Sequence, residues 1–161
     1  MKKTGMLILL VSLFGILNAQ QFPEVNLKTL DGKNINSSSL KTNGKPFIIC
    51  FWKSCCPANE RMLDALSEVY EDWQDEFNLK IYAISIDDSR TSAKIRPTVN
   101  GKGWTLDFLQ DINSDFKRAL NVGSVPHVII YNSKGEIIEQ KPGFLNGAEI
   151  EIYEILKKNL N

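Results

Sequence analysis

The sequence contains few of the residues that build metal centres and disulfide frameworks. Its 161 residues include one histidine and three cysteines. The cysteines, Cys50, Cys55 and Cys56, lie together in one short stretch. An odd, clustered set of cysteines cannot link distant parts of a fold, so we do not expect a disulfide-stabilised domain. The cluster instead indicates a reactive site, and no ligand spacing indicates a bound metal or another cofactor.

Charge of either sign is also not in excess, because 19 lysines and arginines balance 19 aspartates and glutamates. No block of basic residues stands out, which argues against a nucleic-acid-binding protein. The chain shows neither an internal repeat nor a low-complexity linker, and its length suits one domain with a single core.

The one long apolar run lies near the N-terminus, over residues 6–17. Lys2 and Lys3 precede this run and Ala19 follows it, which is the pattern of a signal peptide cleaved after Ala19. The run is too short to span a membrane comfortably. We therefore expect removal of residues 1–19 and export of a domain formed by residues 20–161 to the periplasm or another extracytoplasmic space, which is oxidising.

Along the rest of the chain, the hydrophobic pattern alternates between the period of strands and that of helices. The predicted strands are residues 22–36, which form a hairpin around Asp31-Gly32, and residues 46–52, 79–86, 104–109, 127–131 and 136–140. The predicted helices are residues 57–77, 87–99, 114–120 and 147–160, with polar connections at 37–45 and 100–103. The expected fold is an α/β sheet between layers of helices.

Several polar residues are expected to cap the shorter helices. Asp87 and Asp88 follow a predicted strand, where paired acids could serve acid–base chemistry but are better explained as helix caps. Pro97 is expected to bend or end the helix that they begin. Asn113 or Ser114 is expected to cap the next helix.

Cys56 stands where the strand of residues 46–52 gives way to the helix that Pro57 begins. The free N–H groups and the positive end of the helix dipole favour an ionised thiol at this position. The thiolate is the nucleophile of thiol–disulfide exchange, so Cys56 is the candidate reactive residue. Cys50 lies within the apolar strand and is expected to be a small buried side chain.

Three motifs taken together resemble the thioredoxin fold. They are Phe51-Trp52-x-x-x-Cys56 at the strand–helix junction, Val125-Pro126 before an apolar strand, and the turn Asn132-Ser133-Lys134-Gly135-Glu136. With the hairpin, the signal peptide and the pattern of residues 86–122, the chain is similar to the TlpA/ResA-like exported thiol-disulfide oxidoreductases. The resemblance implies a thioredoxin-like three-layer sandwich, a central mixed sheet flanked by helices, with an extra N-terminal β-hairpin.

The resemblance also implies roles for individual residues. Cys56 would attack substrate disulfides, and Pro126 would be a cis-proline facing it. Val125 would present its backbone to an extended peptide segment. Trp52, a core or rim aromatic near the site, and His127, which could tune Cys56, are the further candidates for substrate binding. The implied partners are protein thiols or disulfides of the cell envelope, together with an external thiol reductant.

The motif Cys56-Pro57-Ala58-Asn59 departs from the Cys-x-x-Cys pattern of this family, because Asn59 takes the place of the second cysteine. Asn59 cannot break a mixed disulfide. The neighbouring Cys55 could do so by forming a vicinal disulfide, although adjacent side chains point apart and the small ring is strained. We therefore expect exchange or isomerisation through a single nucleophilic cysteine, resolved by Cys55 or by an external thiol.

Two other functions fit the same residues. A redox-inactive thioredoxin-fold module could grip extended segments against Pro126. A metal carrier could use Cys55, Cys56 and His127, because two thiolates and an imidazole suit zinc or copper. A peroxidase is not expected, since Lys53 stands three residues before Cys56 where that chemistry needs threonine or serine.

Overall fold

The computed structural model describes residues 22–41 and 44–160, so the predicted signal peptide lies outside the described residues. The described residues form one seven-stranded sheet with helices on both faces. The strands are β1 (Asn26–Thr29), β2 (Asn34–Asn36), β3 (Phe47–Trp52), β4 (Lys80–Ser85), β5 (Asp107–Gln110), β6 (His127–Tyr131) and β7 (Ile137–Pro142). The helices are α1 (Pro57–Phe77), α2 (Ile95–Lys102), α3 (Asp115–Ala119) and α4 (Ala148–Leu160).

The sheet is mixed and has the strand order β2-β1-β5-β4-β3-β6-β7. Strands β3, β4 and β5 are parallel, and every other neighbouring pair is antiparallel. β1 and β2 form the N-terminal hairpin, whose turn places Gly32 at a φ of 85° that glycine adopts easily. The predicted fold class, a mixed sheet between helices with an extra N-terminal hairpin, is confirmed.

β3 lies between β4 and β6 in the sheet and is buried along its whole length. On one face of the sheet, Cys50 and Trp52 belong to a core cluster shared with α1, α2 and α4. On the other face, the ring of Phe51 lies 5.7 Å from that of Phe116 in α3. A strand covered on both faces has no polar side, which explains the continuous apolar run in the sequence.

α1 is the longest helix, and its two ends follow from the sequence. It begins at Pro57, where a missing N–H costs nothing because the first turn has no acceptor for it. It ends at Phe77, since Asn78 adopts a φ of 52° and donates its backbone N–H to the Gln74 carbonyl. Between them, Met62 and Leu66 are fully buried against the sheet.

The segment after β4 differs from the prediction. A 3-10 turn at Ser92–Lys94 leads into α2, so the helix begins later than expected and continues through the residues predicted as a loop. Pro97 lies in the first turn of α2, where its missing N–H breaks no helical hydrogen bond. Gly103, with a φ of 67°, ends the helix instead.

Three smaller details also differ. The connection after β2 contains a 3-10 turn at Ser37–Leu40, and β5 begins at Asp107 rather than at Trp104. Ser114 is the N-cap residue of α3, one of the two predicted positions, but its side chain makes no capping hydrogen bond. The Asp111 carboxylate accepts the N–H groups of Phe116 and Lys117 instead, at 3.3 and 2.9 Å. No helix in the described part of the chain has the length and apolar character needed to cross a membrane.

Candidate functional site

The candidate residues meet at one edge of the sheet, where the parallel strands end and β6 begins. The register pairs Trp52 with Ser85 and Phe51 with His127. The turn that carries the cysteines therefore leaves β3 beside the segment that enters β6. The topology brings together the two stretches, around Cys56 and around Pro126, that the sequence separates by 70 residues.

The two cysteines of the turn are close to each other and open to solvent. Cys55 is exposed and Cys56 is partly exposed, and their Sγ atoms lie 3.5 Å apart. The expectation that these adjacent side chains point apart is not met, because the backbone turns at Ser54 and Cys55 instead of remaining extended. Formation of a disulfide would require the sulfurs to approach to about 2.05 Å.

Cys56 is the residue that immediately precedes α1, as the sequence predicts. It has extended backbone angles, φ −121° and ψ 116°, and its carbonyl oxygen accepts the N–H of Asn59 at 2.9 Å. No side chain caps this end of the helix. The Cys56 sulfur is therefore carried at the amino end of a 21-residue helix with a neighbouring thiol beside it.

The pKa of Cys56 is raised, which differs from the expectation based on the helix end alone. The hydrogen bond with Cys55 is the largest cause, followed by burial, while Lys53 and the side chain of Asn59 act in the opposite direction. The Cys56 thiol is therefore harder to ionise than its place at the helix end alone predicts.

Asn59 occupies the second-cysteine position as a fully buried residue. Its amide group donates a hydrogen bond to the Lys53 carbonyl oxygen at 3.1 Å, and its Oδ1 has no hydrogen-bond partner among the described residues. The side chain therefore holds the cysteine turn against α1 and supplies no thiol. Cys50, the third cysteine, is fully buried in β3, and burial raises its pKa, so it is a core residue.

The Val125–Pro126 segment enters β6 at the same edge. Its peptide bond is cis. Val125 is partly exposed and Pro126 is buried. The Pro126 carbonyl oxygen accepts the N–H of Gly143 at 2.9 Å, which ties this segment to the loop after β7.

His127 is turned away from solvent, with 7% of its surface exposed. Its Nε2 lies 3.4 Å from the Gln140 Oε1, and its Nδ1 has no partner in the described residues. Burial lowers the pKa of His127, so the neutral imidazole is favoured. No three His, Cys, Asp or Glu side chains within residues 22–41 and 44–160 are placed to hold a metal ion, so His127 does not complete a site with the cysteines.

Trp52 is a core residue and cannot border a substrate site as expected. None of its surface is exposed. Its ring packs edge-on against Trp104 and Phe108, with centroid distances of 5.7 and 6.0 Å. The side chain points to the interior because residues two apart in a strand share a face, so Trp52 lies on the same face of β3 as Cys50, against α1, α2 and α4.

Asp87 is the functional candidate whose place sequence reasoning missed. It does not cap a helix: its buried carboxylate accepts hydrogen bonds from the Ser54 N–H at 2.9 Å and from the hydroxyls of Ser54 and Ser85 at 2.7 Å. Asp88 instead accepts the N–H groups of Arg90 and Thr91 at the start of the next turn. An acid directly after a buried parallel strand lies at the carboxyl edge of the sheet, where binding sites of α/β proteins are found. This position in the sequence could have indicated that Asp87 lies at the candidate site.

The comparisons with known proteins agree with this geometry. Residues 19–140 match the model of the AhpC/TSA family. The chain is 29% identical to the thioredoxin-like protein YneN of Bacillus subtilis over 141 residues, covering 85% of this chain and 78% of that protein. It is 24% identical to the thiol-disulfide oxidoreductase ResA of Bacillus anthracis over 139 residues, covering 86% and 76%.

A solved structure adds a match in three dimensions. The solution structure of an uncharacterized thioredoxin-like protein from Porphyromonas gingivalis superposes with a TM-score of 0.77 and 38% identity. The match covers 88% of this chain and 92% of that one. The fold is therefore thioredoxin-like, as the sequence resemblance implied.

Proposed function

The chain belongs to the AhpC/TSA family, in the thioredoxin-like group that includes named thiol-disulfide oxidoreductases, and on this basis we propose that it exchanges disulfides through Cys56. The observation that carries the proposal is the pair of accessible sulfurs 3.5 Å apart at the start of α1. Of the three cysteines, Cys50 is buried and inert, which leaves this pair as the reactive thiols.

The reaction begins with one thiolate and a substrate disulfide. The Cys56 thiolate attacks one substrate sulfur, so a mixed disulfide forms and the other substrate sulfur leaves as a thiolate. In the reduced protein the Cys55 sulfur lies 3.5 Å from the attacking sulfur. Net redox change is zero in this step, because one disulfide is exchanged for another.

The fate of the mixed disulfide separates two outcomes. If a different thiol of the substrate attacks the substrate sulfur of the mixed disulfide, a rearranged substrate disulfide forms and Cys56 leaves as the regenerated thiolate, which is isomerisation. If Cys55 attacks the Cys56 sulfur, a vicinal disulfide forms, the substrate leaves fully reduced, and an external thiol reductant must then restore the pair. Asn59 cannot take either role, since an amide is not a nucleophile for sulfur.

The substrate contacts that we propose lie around the Val125–Pro126 segment. Val125 is partly exposed at the sheet edge that carries the cysteines, so its backbone can pair with an extended segment of a protein substrate. Trp52 is excluded from this surface because it is fully buried, and His127, which is nearly as buried, contributes little to it.

The compartment that suits this chemistry is outside the cytoplasm. Residues 1–19 have the sequence pattern of a removable signal peptide, and disulfides persist in oxidising spaces. We propose that the domain of residues 20–161 acts on protein thiols or disulfides of the cell envelope, with an external thiol as reductant.

Refolding of scrambled ribonuclease A with a small amount of low-molecular-weight thiol tests the proposal. We expect the protein lacking residues 1–19 to accelerate recovery of ribonuclease activity, and the Cys56→Ser variant to lose this effect. The Cys55→Ser variant should retain isomerisation and accumulate more mixed disulfide, visible by non-reducing electrophoresis. An unaccelerated reaction with the wild type, or full activity in Cys56→Ser, would rule the proposal out.

A second function has an observation of its own in its favour. The raised pKa of Cys56 and the buried amide at Asn59 both suit a redox-inactive module that binds extended segments. Such a module would bind a cysteine-free unfolded polypeptide equally well in the wild type and in Cys56→Ser, and it would not refold scrambled ribonuclease. Comparison of the wild type with Cys56→Ser therefore distinguishes disulfide exchange from binding without redox activity.

A further inference from the structure

The carboxylate of Asp87 connects the end of β4 to the turn that carries the cysteines. Asp87 is 1% exposed, and both of its oxygens accept hydrogen bonds. Oδ2 accepts the Ser54 N–H and the Ser85 hydroxyl, and Oδ1 accepts the Ser54 hydroxyl. The backbone N–H of Asp87 donates to the Ser85 oxygen at 3.0 Å, which fixes the carboxylate in return.

The cysteine turn is therefore held from two sides. Asn59, from α1, binds the Lys53 carbonyl oxygen, and Asp87, from beyond β4, binds the N–H and hydroxyl of Ser54. Ser54 directly precedes Cys55. These contacts fix the backbone at the residue where it leaves the extended conformation, which is the change that brings the two sulfurs to the same side.

We propose that Asp87 is a positioning residue for the cysteine pair: through Ser54 it holds the turn in the conformation that keeps the sulfurs of Cys55 and Cys56 together. Ser54 and Asp87 are 33 residues apart in the chain, so only the pairing of β3 with β4 brings them into contact. The neighbouring Asp88 has no such role, because its carboxylate binds Arg90 on the exposed surface.

The inference concerns the site of the proposed exchange function, but it can be tested without any turnover of a disulfide. Phenylarsine oxide condenses with two neighbouring thiols, forming two As–S bonds and releasing one water while arsenic stays trivalent. Capture by both sulfurs requires them to be close together, whereas a single thiol binds this reagent weakly. The affinity for phenylarsine oxide therefore reports the geometry of the pair.

The experiment compares three variants of the reduced protein with the wild type. We expect Asp87→Asn to weaken the affinity for phenylarsine oxide about tenfold, because the amide has one acceptor oxygen instead of two, so one of the two hydrogen bonds from Ser54 is lost and the turn loosens. Ser54→Ala should weaken it less, since the backbone N–H bond to Asp87 remains. Asp88→Asn, the matched control, should bind like the wild type.

The outcome that overturns the proposal is a folded Asp87→Asn variant that captures phenylarsine oxide as tightly as the wild type. A merely structural role would lower the thermal stability without changing this affinity. If Asp87→Asn does not fold, Ser54→Ala decides, and an unchanged affinity there overturns the proposal. When Asp87→Asn and Ser54→Ala are combined in one protein, the loss of affinity for phenylarsine oxide should be smaller than the sum of the two separate losses, because both substitutions break the same contact.

Discussion

The side-chain amide of Asn59 donates a hydrogen bond to the carbonyl oxygen of Lys53 at 3.1 Å, across the turn that contains Cys55 and Cys56. Asn59, at the position of the second cysteine in a Cys-x-x-Cys motif, thus has a structural task. It is fully buried in the first turn of α1, and its contact joins the helix to the end of β3. Loss of the second thiol is accompanied by a hydrogen bond that fixes the turn.

The Asn59→Cys variant should acquire a dithiol activity that uses Cys56 and the new thiol and does not depend on Cys55. A thiol at position 59 can attack the mixed disulfide on Cys56, so an internal disulfide forms and the substrate is released reduced. We expect dithiothreitol-driven insulin reduction to rise at least tenfold over the wild type, measured by turbidity.

The matched control for this substitution is Asn59→Ser, which removes the same amide without adding a thiol. Both variants should lose about 1 kcal/mol of unfolding free energy with the hydrogen bond to Lys53. Equal insulin reduction by the two variants would show that the position does not limit the redox cycle.

Removal of the neighbouring thiol should make Cys56 easier to ionise. The hydrogen bond with Cys55 is the largest cause of the raised pKa of Cys56, so Cys55→Ala is expected to lower that pKa. The rate of Cys56 alkylation by iodoacetamide, followed against pH by peptide mass mapping, should then reach its half-maximum at a lower pH. Lowering the half-maximum by one on the pH scale corresponds to about ten times more thiolate at neutral pH.

The control for this measurement is Cys50→Ala, because Cys50 is buried in β3 and does not contact the pair. Its alkylation profile at Cys56 should match that of the wild type. An unchanged or higher half-maximum in Cys55→Ala would show that the neighbouring sulfur does not govern ionisation.

Replacement of Trp52 should affect stability and leave substrate binding intact. Its ring is fully buried against Trp104 and Phe108, so Trp52→Phe leaves a cavity and should lower the unfolding free energy by roughly 1–2 kcal/mol. The KM for scrambled ribonuclease should stay within about twofold of the wild type for a residue that does not reach the surface. A clear rise in KM at 25 °C in the folded variant would show that Trp52 contributes to substrate binding.

The stability of the protein should depend on the ionisation of Asp87 in acid. Although burial raises the pKa of this carboxyl, the hydrogen bonds from Ser54 and Ser85 outweigh it and leave the pKa below the ordinary value of 3.8. A group whose folded pKa is lowered stabilises the protein above its unfolded pKa, and that contribution is lost as the pH falls through the folded pKa. The urea midpoint of the wild type should therefore exceed that of Asp87→Asn at pH 7. The difference between the two midpoints should be smaller at pH 3.

Other carboxyls with shifted pKa values, among them Asp88 and Asp111, must be separated from this effect. Arg90 lowers the pKa of the exposed Asp88 to about 2, while burial raises the pKa of Asp111, which works in the opposite direction. At about 1 M salt the exposed pair is screened, so Asp88→Asn should follow the wild type at both pH values. If the difference in urea midpoint between the wild type and Asp87→Asn were the same at both pH values, the charge of the Asp87 carboxylate would not contribute to stability.

Local patterns determined most of the elements of this fold. The continuous apolar run of β3, the helical spacing after Pro57 and the Asp-Gly hairpin turn are properties of neighbouring residues, so the sequence was sufficient to predict them. The position of Cys56 at the start of α1 follows from the same local rules. The fold family came from the resemblance, and the order of the strands came only from the structure, because periodicity does not specify which strands pair.

Only the tertiary structure decided where the polar side chains of the site point. Asp87 and Asp88 follow β4 and look equivalent as caps, yet one is buried against Ser54 and the other is paired with Arg90. The difference arises because β3 and β4 end side by side, which places Ser54 within reach of the first aspartate and not of the second.

Tertiary contacts also decide the orientation of the two neighbouring cysteines and of Trp52. The sequence places Cys55 beside Cys56, but the 3.5 Å distance between their sulfurs depends on a turn whose conformation is held by Asp87, just after β4, and by Asn59 in α1. Trp52 stands at the end of β3, shortly before that turn, and the pleat of the strand directs it into the core. Sequence alone identified the candidate residues of the site, whereas contacts between distant segments decided their orientation.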